Sequence, residues 1–271
     1  MAERALRAAG RLALPLAVAI VVAVPLAGLA LRAFADAWRA PALLPQELGL
    51  RGIEAVASEG IEEALANSLG VALAATLVAL GLGWPAARAI ARAGRLRPAL
   101  LVAVALPLLV PPYTVGTGLA EWMLRLGLAD THAGLVLAHL VYVLPYALLV
   151  LTAAFTRHVL ELEEAARTLG AGPARRLVHV TVPAVAPTLA VAAMLCFTVS
   201  WSQYATSLAV GGGLPTVPIV LVPFAQSDPQ VAAALSLVFL APPLLALAAA
   251  ARAGRVARVM AHAAPHARLR A

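Results

Sequence analysis

The chain of 271 residues is 62% hydrophobic and 12% charged, far above the roughly 45–50% apolar share of soluble domains, which excludes a water-soluble fold and makes the bilayer its solvent. Its formal net charge of +7 rests on 20 arginines and no lysine. These are not gathered with aromatics into one patch, which argues against a nucleic-acid surface, and without lysine no phosphate-binding P-loop can form. The lone Cys196 rules out an internal disulfide.

A helix needs about 20 apolar residues to cross about 30 Å of hydrocarbon, so charge-free stretches mark the crossings. Residues 12–31 are the first, between Arg11 and Arg32. Arg4, Arg7 and Arg11 before it and "AFA" after it imitate a secretory signal, but a signal core runs to about 7–15 residues and this stretch is longer, so an uncleaved anchor is expected. The next loop is acidic, with Asp36, Glu47, Glu54, Glu59, Glu62 and Glu63. It reads as a solvated helix before the second crossing, or as a surface attracting a cation or the basic face of a capture protein. Residues 64–87 form the second crossing and 98–120 the third, the latter with Pro111, Pro112, Thr114 and Thr117. Residues 133–156 are the fourth, carrying His139, Tyr142, Tyr146 and Thr152. From 180 to 227 no formal charge occurs, too long for one crossing. "GGGLPTVP" at 211–218 breaks this run, because glycine is flexible and proline lacks a donor. A fifth crossing near 186–207, a loop or re-entrant piece at 208–228, and a sixth crossing at 229–251 follow. Pro242 and Pro243 in the sixth, like the prolines of the third, permit kinks.

Arginines collect on the cytoplasmic side of short loops. With the N-terminus inside, 16 of the 20 arginines are cytoplasmic, including Arg88, Arg92, Arg95 and Arg97 after the second crossing and those of a basic tail at 252–271. Nine of the 13 acids then lie outside. Both termini are therefore expected in the cytoplasm.

On that side lies "ELEEAARTLGAGPARRLVHVTVP", residues 161–183. Leu162, Ala165, Ala166 and Leu169 share one helical face. Gly170 and Gly172 suit a helix end, and Pro173 suits the first position of a second short helix running from Ala174 to Val180. Pro183 marks the bend into the fifth crossing. Two short helices joined at a glycine make a knob that can dock in a partner's groove; the same pattern also describes an amphipathic connector resting on lipid headgroups, anchored by Arg175 and Arg176.

Glu164-Ala165-Ala166, three residues, Gly170, nine residues, then Val180-Thr181-Val182-Pro183 resembles the EAA loop of permease subunits of binding-protein-dependent ABC importers. That pattern reads EAA, three residues, G, nine residues, I-x-L-P, with Val180 and Val182 here in place of Ile and Leu. The resemblance covers about residues 60–251. It implies an all-α, six-span permease of the type I ABC importer kind, a single transmembrane domain over 1–271 with its cytoplasmic coupling loop at about 157–185. It further implies a second permease copy or sister permease, two ATPase subunits that bind ATP and magnesium and grip the loop, and a soluble extracytoplasmic substrate-binding protein in a bacterial inner membrane. No cofactor is expected on this chain. "SWSQY" followed by a glycine-rich loop is similar to permeases of the polyamine, iron(III) and thiamine importers.

Ionisable residues inside the crossings would mark an ion or proton route, yet these contain essentially none but His139. That disfavours a gradient-driven carrier, one of two rival readings; the other is a non-transporting membrane scaffold. His139 reads as a packed, hydrogen-bonded histidine. His132 and His139, without carboxylate or thiol, make a poor metal site, and His262 and His266 fall in the tail. No nucleophile and base pair suggests an enzyme. The richest polar cluster runs from Thr198 to Tyr204, where Ser200, Ser202, Gln203 and Tyr204 either line a gated pathway or hydrogen-bond neighbouring helices.

Overall fold

The computed structural model describes residues 2–58 and 60–267, with side chains from 13 to 255 apart from 14 and 59. Expectations resting on Arg4, Arg7, Arg11, Glu59, His262, His266 and the tail beyond 255 concern side chains outside the described residues. The chain is helical almost throughout. Helix α1 (Ala2–Ala33) leads through strands β1 (Ala35–Ala37) and β2 (Glu47–Leu48) to α2 (Arg51–Ser58) and α3 (Ile61–Arg92). Then come α4 (Arg97–Ala105), α5 (Pro112–Arg125), α6 (His132–Ala154), α7 (Arg157–Thr168) and α8 (Pro173–Arg176). A π-helical turn (Leu177–Thr181) precedes α9 (Val182–Trp201), α10 (Ala205–Val210), α11 (Val217–Ser227) and α12 (Pro229–Ala267).

Among the described residues, Pro15–Ala33, Ile61–Arg92, His132–Ala154, Pro173–Trp201 and Pro229–Arg255 are long and apolar enough to cross a membrane. Gly94–Leu109 and Pro112–Arg125 form a sixth crossing if taken as one broken span, bent by 89°. The third crossing expected at 98–120, with prolines that permit a kink, is thus two helices meeting at a corner. The cause is local. Val110 and Pro111 each precede a proline, which disfavours helical backbone, and both adopt extended ψ of 132° and 135°. The break frees the Val110 carbonyl, which accepts a hydrogen bond of 2.9 Å from the Tyr142 hydroxyl on α6. Tyr142→Phe removes that donor alone and is expected to cost about 1 kcal/mol in thermal unfolding in detergent. Pro242 and Pro243, by contrast, lie within the unbroken α12.

The chain divides into two compact units. In the unit formed by Met1–Glu62 and Val220–Ala241, Ala33 packs with Ala233 and Ala234 beside Leu29, Ile53, Val56 and Leu237. Polar groups close its edge: Gln230 donates to Asp36 at 2.6 Å and Arg51 pairs with Asp228 at 2.6 Å. The hydrogen bond from Arg51 holds the Asp228 carboxyl below its usual range. Leu16, Val18, Val21 and Val24 of α1 are exposed, as a lipid-facing helix requires. Glu54 lies on α2 and is exposed, in keeping with a solvated helix ahead of α3.

The other unit, Glu63–Ile219 and Pro242–Ala271, is organised around α6. Leu148, Leu151 and Ala154 of α6 pack with Ala87 and Ile90 of α3, with Val185 and Ala192 of α9, and with Phe155 and Val159. Helices without a hydrophobic drive between them associate through small residues that let backbones approach. Gly83 of α3 does this, since a Cβ there would sit 3.2 Å from that of Ala147. The segment at 211–217 has its backbone met by α3: Asn67 donates to the Pro215 carbonyl at 3.0 Å, and the Val217 amide donates to Ser68 at 2.8 Å.

Candidate coupling site

The turn after α6 is set by sequence. Thr156 caps α7, accepting from the Val159 amide. Leu169 ends the helix, and Gly170 follows with φ of +79°, left-handed backbone that glycine adopts without penalty. Two bonds seal the end, from the Gly170 amide to the Arg167 carbonyl and from the Ala171 amide to the Ala166 carbonyl, each 3.0 Å. Gly172 then precedes α8 with Pro173 at its start, where proline's missing donor is harmless.

The expected second short helix does not stand apart. α8, the π turn and α9 form one continuous helical run, Pro173–Trp201, that is long and apolar enough to cross a membrane, and it ends at Trp201 rather than at 207. Pro183 is therefore not a bend between helices. It sits in the first turn of α9, directly after a π turn in which the Val182 amide reaches back to the Leu177 carbonyl. The widened turn accommodates proline next to it without breaking the run.

Leu162, Ala165 and Leu169 face outward, Leu169 with 86% of its surface exposed, and Ala166 is half-buried. Glu164 and Gly170 are exposed too, and a Cβ added to Gly170 would meet nothing. Val180 and Val182 are half-buried and Pro183 is exposed at the start of the membrane-spanning run.

The inner side of α7 carries the residue that sequence reasoning missed. Glu163 is 5% exposed. Its Oε2 accepts from Arg88 Nε at 2.9 Å, from Arg88 Nη2, and from Arg92 Nη2 at 2.9 Å, while Oε1 accepts from Thr181 at 2.8 Å. Burial works against the charge, but the hydrogen bonds from Arg88, Thr181 and Arg92 prevail and hold the carboxyl below its ordinary range. A depressed folded pKa means that the contribution is complete above the unfolded value of about 4.3 and is lost as pH falls through the folded value. Thermal unfolding should therefore show wild type more stable than Glu163→Gln at neutral pH, with the gap closing in acid. A gap unchanged down to pH ~2 contradicts the ion pairs. The available signal was the spacing of Arg88 and Arg92, four apart on one face of α3.

The four pathway candidates do not share a face. Ser200 and Gln203 are buried, whereas Ser202 and Tyr204 are exposed. His139, 3% exposed, bridges the Ser200 hydroxyl at 2.8 Å and the Ser207 hydroxyl at 2.9 Å, joining α6 to α9 and α10. A neutral imidazole has one donor and one acceptor nitrogen, so it can satisfy both. Ser207 donates to the Gln203 carbonyl at 2.6 Å, and Thr206 donates to Gln203 Oε1 at 3.2 Å. The Ser202 hydroxyl donates to the Thr198 and Val199 carbonyls in the last turn of α9. His132 belongs elsewhere, its ring 2.9 Å from Asn67.

Residues 79–253, from the middle of α3 through the loop at 157–185 to the end of the last apolar run, match the family of the binding-protein-dependent transport system inner membrane component. The chain belongs to that family. Two relatives show its breadth. The trehalose transport system permease protein SugB of Mycobacterium tuberculosis is 36% identical over 168 residues, 61% of each chain. The molybdenum transport system permease protein ModB of Mycobacterium bovis is 32% identical over 193 residues, 65% of this chain and 73% of that one. The chain thus matches under two thirds of the length of SugB. In fold it resembles a chain in the crystal structure of a bacterial ABC transporter involved in the import of the acidic polysaccharide alginate, with a TM-score of 0.65, 17% identity, and coverage of 90% of this chain and 95% of that one. The helical, multi-pass architecture and the expected permease fold agree with this family.

Proposed function

We propose that this chain is the translocating permease subunit of an ATP-driven importer in a bacterial cytoplasmic membrane, with both termini inside. It works as one transmembrane permease domain paired with a second copy or a sister permease. The observation that carries this reading is the exposed turn of α7, where Glu164, Ala165 and Gly170 at EAA spacing leave Leu169 uncovered. The exposed Leu169–Gly170 end, open on its outer side, gives a partner's groove direct access to the motif. By family resemblance that partner is an ATPase subunit, and ATP with magnesium binds there. A binding protein on the opposite side delivers substrate. Closure of the ATPase pair draws two such loops together and turns the helical bundles to face outward; hydrolysis resets them. The relatives are named for trehalose and for molybdenum, and Ser200, Ser202, Gln203 and Tyr204 stay proposed as pathway residues.

Purification of the full chain from its native membrane tests this. An ATPase subunit should co-purify, and ATP hydrolysis by the complex in vesicles should rise when the native binding protein is added. A chain that brings down no nucleotide-binding subunit supports the scaffold instead, and transport abolished by an uncoupler with ATP present supports the gradient-driven carrier.

A further inference from the structure

Resting on that reading, we propose that Glu163 is the positioning residue that carries displacement of α7 into the membrane helices, linking the coupling loop to α3 through Arg88 and Arg92 and to the base of α9 through Thr181. The geometry is specific. One carboxylate on a 12-residue helix is held from two directions: Oε2 by two arginines one turn apart on α3, and Oε1 by a hydroxyl in the π turn that opens the run into α9. Its partners lie 71 and 75 residues away on one side and 18 on the other. On the same helix Val159 packs in the apolar cluster with Ala87 and Phe155.

A buried ion pair is weak grounds for stability, because desolvation offsets most of its attraction; its best-attested use is to specify a unique arrangement. Charge-assisted hydrogen bonds are short and directional. They resist sliding along α7 as well as separation, whereas apolar contacts resist mainly separation. Force applied at the exposed Leu169–Gly170 end therefore reaches α3 and α9 together. Arg88 and Arg92, each about two-fifths exposed, keep water on one side, so the link can adjust its angle without a charge being stripped of all partners. Thr181 also lies 3.4 Å from the Arg176 carbonyl of α8.

The test uses the full chain assembled with its ATPase and binding protein in vesicles, and reads three quantities: capture of the ATPase subunit, basal ATP hydrolysis, and the ratio of hydrolysis with the binding protein to hydrolysis without it. Glu163→Gln should leave capture and basal hydrolysis intact while lowering the ratio about tenfold. Glu163→Asp, which keeps the charge, should restore much of it. Adding Arg88→Gln and Arg92→Gln to Glu163→Gln should lower the ratio no further, because all three remove one link. A wild-type ratio in Glu163→Gln overturns the proposal and leaves the importer reading standing. Failure of the wild-type chain to capture an ATPase overturns the reading itself. If Glu163→Gln does not accumulate in the membrane, Thr181→Val, which deletes one hydrogen bond, takes its place: a lowered ratio supports the link, and an unchanged ratio overturns it.

Discussion

Gly170→Arg is expected to leave the protein inserted and its ATPase subunit folded, yet to lower binding-protein-stimulated hydrolysis by about 100-fold. Two effects add. A non-glycine residue at φ of +79° costs about 1–2 kcal/mol, which loosens the two hydrogen bonds that end α7. More importantly, an arginine would project into the open space around Gly170, where the proposed partner must seat. Gly170→Ala separates these effects, because alanine keeps the left-handed strain but adds a single carbon to open space. Alanine should retain most of the stimulation. Equal loss in both variants would assign the defect to backbone strain, and normal stimulation in the arginine variant would remove the loop from the coupling mechanism.

The second large effect is on stability. His139→Leu leaves the Ser200 and Ser207 hydroxyls without their shared partner in the interior of the α6, α9 and α10 packing. Removing one side of a buried hydrogen bond exacts the desolvation cost of the other, about 1–3 kcal/mol for each group, although Ser207 retains the Gln203 carbonyl as acceptor. A loss of about 2–3 kcal/mol is expected in unfolding measured in detergent. Ser200→Ala combined with Ser207→Ala should recover much of it in the His139→Leu background, because neither hydroxyl is then left without its histidine partner. Hydrophobic substitution at His139 without loss of stability contradicts the bridge.

The local end of α7 was legible because its determinants are local: glycine at a left-handed position and proline at a helix start act within four residues, and Gly170 and Pro173 stand where those rules put them. The crossings were legible for a related reason, since length and apolarity are summed along one segment. The third crossing's two prolines read in sequence as permitting a kink, and the bend there is sharper, 89°. Consecutive prolines also extend the residue before each, and Val110 and Pro111 together turn a kink into a corner. Pro183 was misread in the opposite sense, because a π turn, which no simple periodicity announces, absorbs it. Glu163 escaped notice since its neighbour Glu164 occupies the motif and its arginine partners lie more than 70 residues earlier. The polar stretch from Thr198 to Tyr204 looked like one cluster in sequence. The helix ends at Trp201 and divides it, turning Ser200 and Gln203 inward and Ser202 and Tyr204 outward.

The account depends on a knob that a separate ATPase holds from the cytoplasm. Leu169→Cys places a thiol on it, and the natural Cys196 is fully buried, so a membrane-impermeant maleimide reports on one site. The account predicts no labelling in intact cells, labelling once the membrane is permeabilised, and protection when the ATPase subunit is bound. Labelling of intact cells, or permeabilised labelling indifferent to the ATPase, would contradict it.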